Sequence, residues 1–386
     1  MSEDEPVKTW RSLFATLIAA IFGMAFAIGV GGYSVYLQKP PEAVPSTAAA
    51  DVFSAERAME HIKAIAEKSH PMGSAEAMKV RDYLVDQLKT LGLNPEVQKE
   101  SDPALENIIG VLPGEDPEGP AVMLAAHYDS VPTGPGAGDD ASGVAAILEA
   151  VRAIKAGPPL DNDLIVLITD GEEKGLLGAK AFVKHKEWLD RIGLVINFEG
   201  RGNRGPAYMF ETSEENGWII REFAAAHPHP LATSLAYSIY KLMPNNTDLT
   251  IFKGAGLKGL NFAFVEGVEN YHKATDTPEN LDRRSLQHQG VSALSLARHF
   301  SELNLNLASS ESDAVYFHVM GPNLVVYPGA MVTPIMFAAL AAFSLAVAIG
   351  LRPEGLTLSG LFMGALMSLL TAVLATAAKI NGQVKR

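Results

Sequence analysis

Three long apolar runs at the two ends of the chain limit what it can fold into. The first, residues 12–37, carries no charged side chain and lies between Arg11 and Lys39, and the others span 332–350 and 356–378. Each run is long enough to cross a hydrocarbon core of ~30 Å as a helix that rises ~1.5 Å per residue. We therefore predict three transmembrane helices, with the lipid bilayer as a partner of the chain.

Each apolar run also has a soluble alternative. The first could be a cleaved signal peptide, but the apolar region of such a peptide normally spans only about 7–15 residues. The last two could form a buried helical hairpin, and their length argues against it. Because the sequence stops six residues after Ile380, just beyond the last apolar run, we expect the natural chain to continue with more helices.

The middle of the chain is polar and long enough to bury one full-sized core. Its short apolar runs alternate with longer helical patterns, which predicts an α/β domain of three layers, α/β/α, around a mixed sheet, flanked by the transmembrane helices. Strands are predicted at 107–111, 121–126, 164–169, 194–198, 208–210 and 260–265, and helices at 55–67, 75–91, 143–155, 176–189, 215–226 and 284–303. The predicted segments are a tail at 1–11, a transmembrane helix at 12–37, a linker at 38–52, the central domain at 53–308, a connector at 309–331, transmembrane helices at 332–350 and 356–378, and a tail at 379–386.

Charge and cysteine content exclude several functions. The net charge of −13 argues against nucleic acid as a partner, because phosphate binding needs clustered Lys and Arg. The chain has no cysteine, so disulfides, thiolate nucleophiles and cysteine zinc sites are excluded. Histidine and carboxylate side chains remain as the strong metal ligands.

Five short segments combine histidine or acidic residues with glycine, tyrosine or asparagine, mostly where a predicted strand ends. In open α/β sheets, binding sites form beyond the carboxyl ends of the strands. Imidazole and carboxylate groups together suit Zn²⁺ or a similar divalent ion. The five segments are residues 125–130, 138–143, 169–173, 197–200 and 271–280.

The arrangement favours two metal ions over one. Two zinc ions ~3.5–4 Å apart repel each other strongly unless a carboxylate bridges them. Glu172 and Glu173 are neighbours, so one can bind metal while the other stays free to move a proton. Asp129 is close enough in sequence for its carboxylate to accept a hydrogen bond from His127 and so fix the tautomer of that imidazole.

These segments resemble the zinc-dependent aminopeptidase and glutamate carboxypeptidase-like metallopeptidase family. They resemble most its membrane-embedded subgroup of vacuolar membrane protease and endoplasmic reticulum metallopeptidase type, over residues of about 55 to 327. The resemblance implies two Zn²⁺ ions per chain. It implies that His127 and Glu199 bind one ion, that Glu173 and His272 bind the other, and that Asp139 bridges them.

The resemblance also implies roles in catalysis. Glu172 would be the general base that takes a proton from the attacking water, and Asp129 would orient His127. Tyr271, beside a metal ligand, is placed to donate a hydrogen bond to the oxyanion. The family has a cis peptide after its bridging aspartate, which predicts a cis bond between Asp139 and its neighbour Asp140. Many soluble members carry Asp where this chain has Glu199, so the longer side chain points to the membrane subgroup.

The sequence therefore predicts a membrane-anchored two-zinc metallopeptidase with peptide substrates, and specifically an aminopeptidase that releases N-terminal residues. One alternative is a glutaminyl-peptide cyclotransferase that uses a single zinc, and another is a non-catalytic, receptor-like binding module on the same fold. The complete second set of ligands speaks against both. No sequence feature indicates an oligomeric state.

Two arguments disagree on the orientation in the membrane. Counting Lys and Arg near the spans weakly favours a cytosolic central domain. The resembled family places that domain across the membrane, in the periplasm or a lumen. Because the charge count depends on residues close to the C-terminus, we follow the family and predict an integral membrane protein with an extracytoplasmic catalytic domain.

Overall fold

A computed structural model describes residues 4–99, 104–116, 118–308, 311–318, 321 and 323–350 of the chain. The chain divides into two compact units, Met1–Pro328 and Gly329–Arg386. The first unit contains the predicted central domain, and the second begins with an apolar helix. The structure therefore separates the part that carries the candidate site from the C-terminal apolar part.

A seven-stranded mixed sheet forms the centre of the first unit. Its strands are β1 (Glu96–Lys99), β2 (Glu106–Leu112), β3 (Ala121–His127), β4 (Leu164–Thr169), β5 (Ile192–Gly200), β6 (Tyr208–Thr212) and β7 (Gly259–Phe264). Their order across the sheet is β1-β2-β4-β3-β5-β7-β6. The four middle strands run parallel, and β1, β2 and β6 pair with their neighbours in antiparallel orientation. The mixed sheet predicted from the sequence is confirmed.

Eleven α-helices are present in the described residues. They are α1 (Asp4–Leu37), α2 (Ala55–Ile65), α3 (Ala75–Thr90), α4 (Ala141–Lys155), α5 (Leu177–Phe182), α6 (Lys186–Leu189), α7 (Gly217–Ala226), α8 (Ser234–Tyr240), α9 (Asp248–Gly254), α10 (Arg283–Ser301) and α11 (Val332–Gly350). A separate hairpin is formed by β8 (Ala314–His318) and β9 (Leu324–Pro328).

Side chains of the sheet alternate between two hydrophobic clusters. In β3, Val122 and Leu124 pack in one cluster with side chains of α2, α4 and α10, whereas Met123 and Ala125 pack in the other with side chains of α5 and α9. Successive side chains of a strand point to opposite faces, so the two clusters cover the two sides of the sheet. The central strands are buried on both faces, which explains their continuous apolar sequence.

The sequence predicted most central elements and missed several peripheral ones. The predicted helix 176–189 is in fact two short helices, α5 and α6. The chain tightens after Phe182, where the N–H groups of Lys184 and His185 donate to carbonyls three residues back, and this ends α5. Strand β1 was not predicted because it is short and mostly exposed, and so carries little apolar signal.

The structure tests the predicted membrane spans only in part. Within the described residues, Gly329–Ile349 is the one helix long and apolar enough to cross a membrane, with a mean hydropathy of 2.2. Helix α1 covers the first predicted span, but its apolar helical stretch, Ile21–Ser34, is shorter. The third predicted span, 356–378, lies outside the described residues. Three spans therefore stay a prediction.

The predicted linker before α2 is hydrogen-bonded to the central domain. The N–H of Val44 donates to the side chain of Gln287 at 2.9 Å. Arg57 and Arg152 donate to backbone carbonyls of the linker, and both also pair with the carboxylate of Glu149, at 2.8 and 2.5 Å. Glu149 is fully buried, and these two cations compensate its charge.

Candidate metal centre

Three neighbouring parallel strands bring the predicted residues to one edge of the sheet. Strand β3 lies between β4 and β5 and ends on His127. Glu172 and Glu173 follow the end of β4, and Glu199 is the second-last residue of β5. Because the carboxyl ends of parallel strands share one edge, the imidazole and the carboxylates converge there.

Three buried side chains form the first cluster. The Nε2 atom of His127 lies 3.2 Å from Oδ1 of Asp139 and 3.8 Å from Oε2 of Glu199. One ligand atom from each of the three lies within 4.8 Å of the others. We call His127, Asp139 and Glu199 the enclosed set, because all three side chains are buried.

A second cluster shares the same aspartate. The Nε2 atom of His272 lies 3.1 Å from Oδ2 of Asp139 and 3.1 Å from Oε1 of Glu173. We call Asp139, Glu173 and His272 the open set, because the His272 side chain is 36% exposed. The two carboxylate oxygens of Asp139 therefore face two different imidazoles, which is the arrangement of a bridging ligand.

The residues of both sets fit metal ions. Ligand atoms ~2.0–2.2 Å from a tetrahedral zinc lie roughly 3.3–3.6 Å from each other. The closest imidazole–carboxylate distances, 3.1–3.2 Å, are near that range. The buried Oε1 atom of Glu173 has no hydrogen bond of acceptable geometry among the described residues, although His272 is close to it. A cation would satisfy this oxygen.

Burial also shifts the protonation equilibria of the carboxylates. Burial, and then the nearby Glu172, raise the pKa of Glu199 well above its usual value. Burial likewise raises the pKa of Glu172 to about 9. Buried like charges cannot all ionise without compensation, and bound cations would supply it.

The imidazoles respond in the opposite direction. Burial alone would lower the pKa of His127, but hydrogen bonding to Asp129 and Asp139 raises it well above its usual value. Burial also opposes the charge on His272, yet Asp139 and Glu173 raise its pKa to about 10. In the absence of metal, protons therefore occupy the positions between imidazole and carboxylate.

Asp129 forms hydrogen bonds with residues of both sets. Its two carboxylate oxygens accept the backbone N–H groups of Glu172 at 3.0 Å and Glu173 at 3.2 Å. The Nδ1 atom of His127 lies 3.0 Å from the Asp129 carbonyl oxygen and 3.4 Å from its carboxylate. The carbonyl is thus the shorter partner of the imidazole, and the carboxylate mainly fixes the loop that carries the two glutamates.

Asp139 lies in a tightly fixed turn. The peptide bond between Asp139 and Asp140 is cis, which confirms the prediction. The Asp140 side chain caps α4 by accepting the N–H of Gly143 at 3.0 Å. The carboxylate of Asp276 accepts the N–H groups of Gly138 at 2.8 Å and Asp139 at 3.2 Å. No role was predicted for Asp276, and it holds the turn in place.

Further polar side chains lie around the sets. Asn197 donates to Oε1 of Glu199 at 2.9 Å and to Oδ1 of Asn261 at 3.0 Å. Thr169 donates to Asp248, which is fully buried and is the first residue of α9. Asn197 was part of a recognised segment, and its position two residues before Glu199 on one strand face was the available signal.

A cavity of about 650 Å³ opens beside the two sets. Asp139, Glu172 and Glu199 line it. Tyr271 also lines it, and its ring stacks on His272 with centroids 3.7 Å apart. The rest of the wall is mainly apolar and includes Phe210, Ile239, Tyr240, Met243, Val265 and Val268. A cavity of this size and composition can hold a small organic ligand against the carboxylates.

The sequence profile of peptidase family M28 matches residues 107–297, which include every residue of both sets. Residues 107–297 of this chain belong to peptidase family M28. Endoplasmic reticulum metallopeptidase 1 of Mus musculus is 30% identical over 231 residues, covering 58% of this chain and 26% of that protein. The vacuolar membrane protease of Candida dubliniensis is 31% identical over 275 residues, covering 67% and 29%. The M28 chain thus spans between a quarter and a third of the length of these relatives.

Solved structures share the fold of the M28 domain. A zinc aminopeptidase from Bacillus subtilis superposes with a TM-score of 0.53 at 16% identity, over 63% of this chain and 95% of its own. A glutaminyl cyclase from Porphyromonas gingivalis superposes with a TM-score of 0.50 at 21% identity, over 66% and 99%. The two neighbours are named for different activities, so the shared fold does not choose between them.

Proposed function

We propose that this chain is a membrane-anchored two-zinc metallopeptidase that acts as an aminopeptidase and releases N-terminal residues from peptides. The observation that carries the proposal is the pair of ligand sets that share Asp139. A single-zinc cyclase needs only one set, and a binding module needs neither. The open set, with Glu173 and His272, therefore favours the peptidase over both alternatives.

We assign the enclosed set to one Zn²⁺ and the open set to the other, with Asp139 common to both. The bound ions would polarise the substrate carbonyl and acidify a water molecule. Outside these ligands, Glu172 lines the same cavity and is held by the hydrogen bond from its N–H to Asp129. It is therefore free to accept a proton from water and return it to the leaving amine.

A peptide substrate would bind in the largely apolar cavity beside the two sets. The polar end of this cavity carries Asp139, Glu172 and Glu199, and its other walls are mainly apolar. A peptide would place its scissile bond at the polar end and an uncharged side chain against the apolar wall. The phenol of Tyr271 lines the cavity next to His272, where it can donate a hydrogen bond to the oxygen that gains negative charge.

The decisive experiment combines metal analysis with hydrolysis of a panel of aminoacyl-amides. We expect about two zinc ions per chain, hydrolysis of amides with a free amino group, and loss of activity with a chelator that added zinc reverses. N-acetylated amides should not be hydrolysed. One zinc per chain with pyroglutamate formation from N-terminal glutamine would replace the peptidase with the cyclase, and zinc-free protein without turnover would indicate a binding module.

We further propose that the chain is an integral membrane protein with the M28 domain outside the cytosol. The apolar helix Gly329–Ile349 and the names of the endoplasmic reticulum and vacuolar membrane relatives support membrane attachment. Protease added to sealed spheroplasts or vesicles tests the side. Digestion of the M28 domain only from the cytosolic side would reverse the assignment.

A further inference from the structure

One cation in the cavity has no part in the ligand sets. Arg201 directly follows β5, two residues after Glu199, and lines the cavity. Two residues of extended chain span about 7 Å, so Arg201 begins close to the enclosed set. Among the described residues that line the cavity, it is the one with a permanent positive charge.

The guanidinium of Arg201 is held in place without an ion pair. It lies over the ring of Tyr271, with its central carbon 5.4 Å from the ring centroid. The amide oxygen of Asn245, once turned to face it, accepts from both terminal nitrogens, Nη2 at 3.1 Å. No carboxylate in the described part of the chain pairs with it.

Arg204, three residues further along, is bonded differently. It pairs with Glu269 at 2.8 Å on the surface and does not line the cavity. The two arginines of this loop therefore differ in their partners. Arg204 forms an ion pair with a carboxylate, whereas Arg201 forms none with the described residues. Guanidinium groups have five donors in a fixed fork that suits a carboxylate.

We propose that Arg201 binds a carboxylate of the substrate, which makes short peptides with a free C-terminus the preferred class. The inference rests on the proposed peptidase function. In a dipeptide, the C-terminal carboxylate lies one residue, about 3.8 Å, beyond the scissile carbonyl. It would therefore reach the cation beside the ligand sets while the side chains occupy the apolar wall. An acidic side chain after the scissile bond could supply the same group.

Three substrates separate these sources. Leu-Leu carries a terminal carboxylate, Leu-Leu-amide carries none, and Leu-Glu-amide carries one only in its side chain. We expect kcat/KM for Leu-Leu to exceed that for Leu-Leu-amide by roughly 10- to 100-fold, the value of one charged hydrogen-bonded pair. The Arg201→Gln variant should lose most of this ratio, and the matched Arg204→Gln variant should keep it. If kcat/KM for Leu-Glu-amide, and not that for Leu-Leu, exceeds kcat/KM for Leu-Leu-amide, then Arg201 binds the carboxylate of an acidic substrate side chain.

A binding measurement makes the test independent of turnover. Calorimetry with the Glu172→Gln variant should show tighter binding of Leu-Leu than of Leu-Leu-amide, and Arg201→Gln in that background should abolish the difference. Equal binding of the two ligands before the Arg201 change would overturn the proposal. So would an Arg201→Gln variant that weakens all three substrates equally, because the cation would then act on the reaction and not on a carboxylate. Full activity of Glu172→Gln would contradict the peptidase mechanism while leaving this binding comparison intact.

Discussion

The enclosed and open sets share Asp139 but differ in their surroundings. The His127 side chain is 1% exposed, whereas that of His272 is 36% exposed. Strands β3 and β5 supply His127 and Glu199 of the enclosed set, and Asn197 donates a hydrogen bond to Glu199. The open set depends on a loop residue with a left-handed backbone, His272 at φ 57°. We infer that the enclosed set binds its ion more tightly, because buried and hydrogen-bonded ligands are already oriented.

The largest effect should come from a residue that belongs to neither set. Glu172→Gln keeps every proposed ligand, so we expect both ions to remain and kcat to fall roughly 100- to 10,000-fold through the loss of proton transfer. Zinc analysis and steady-state kinetics on the same sample measure both quantities. The Glu187→Gln variant, changed at an exposed glutamate, is the control. Loss of zinc in Glu172→Gln would show that Glu172 is a metal ligand, and would contradict its separation from the two ligand sets.

The comparison predicts unequal costs for removing the two imidazoles. His127→Ala and His272→Ala should each lose about one zinc per chain. His127→Ala should also lower the free energy of unfolding by about 3–5 kcal/mol, because it leaves buried carboxylates without compensation. His272→Ala should cost less than half as much, since water reaches its site.

Calorimetric unfolding of both variants, with His299→Ala as a control at a paired histidine outside the cavity, checks this order. Equal destabilisation by the two changes would show that the exposure of a histidine does not determine how much its removal lowers the free energy of unfolding.

A smaller effect is expected from the neighbour that supports Glu199. Asn197→Ala removes the hydrogen bond to the Glu199 carboxylate and should weaken zinc binding at the enclosed set by roughly 10- to 100-fold. The open set should keep its affinity. Competition with a chromophoric chelator resolves the two affinities, and an equal loss at both sites would contradict the assignment of Asn197 to one set.

The smallest predicted effect is a release of protons when zinc binds. Carboxylate neighbours raise the pKa of His127 well above normal and that of His272 to about 10, so both imidazoles hold a proton at pH 7 without metal. Zinc needs the neutral imidazole, so each set should release at least about one proton. Zinc affinity should therefore fall as the pH is lowered from 8 to 6. Calorimetry in two buffers of different ionisation enthalpy counts the protons, and an unchanged heat would refute the expectation.

Residues at the ends of regular strands could be predicted from the sequence. Continuous apolar runs identified β3, β4 and β5, and the polar residues that follow them had to meet because the strands are parallel neighbours. His127, Glu172, Glu173 and Glu199 are of this kind. Their convergence follows from local pattern and sheet geometry, without knowledge of the loops.

Residues on irregular loops could not be predicted in the same way. Asp276 reaches the N–H groups of Gly138 and Asp139 across more than 130 positions of sequence, and no local pattern announces that contact. The approach of Arg201 to Tyr271 and Asn245 likewise depends on how three loops pack. Periodicity describes regular elements, whereas these contacts are set by tertiary packing alone.

The linker between α1 and α2 limits the distance between the catalytic domain and the end of α1. Helix α1 ends at Leu37, and Val44 is already hydrogen-bonded to Gln287 of the domain. Residues 38–43 lie between these two points and reach at most about 20 Å when fully extended. Within them, the side chain of Gln38 also accepts a hydrogen bond from the Tyr208 hydroxyl of the domain at 3.2 Å. With α1 in the bilayer, as the sequence predicts, the active site would meet only the solution that lies within about 20 Å of the lipid surface. Its effective substrates would then be the peptides that accumulate there, whatever their concentration elsewhere in the compartment.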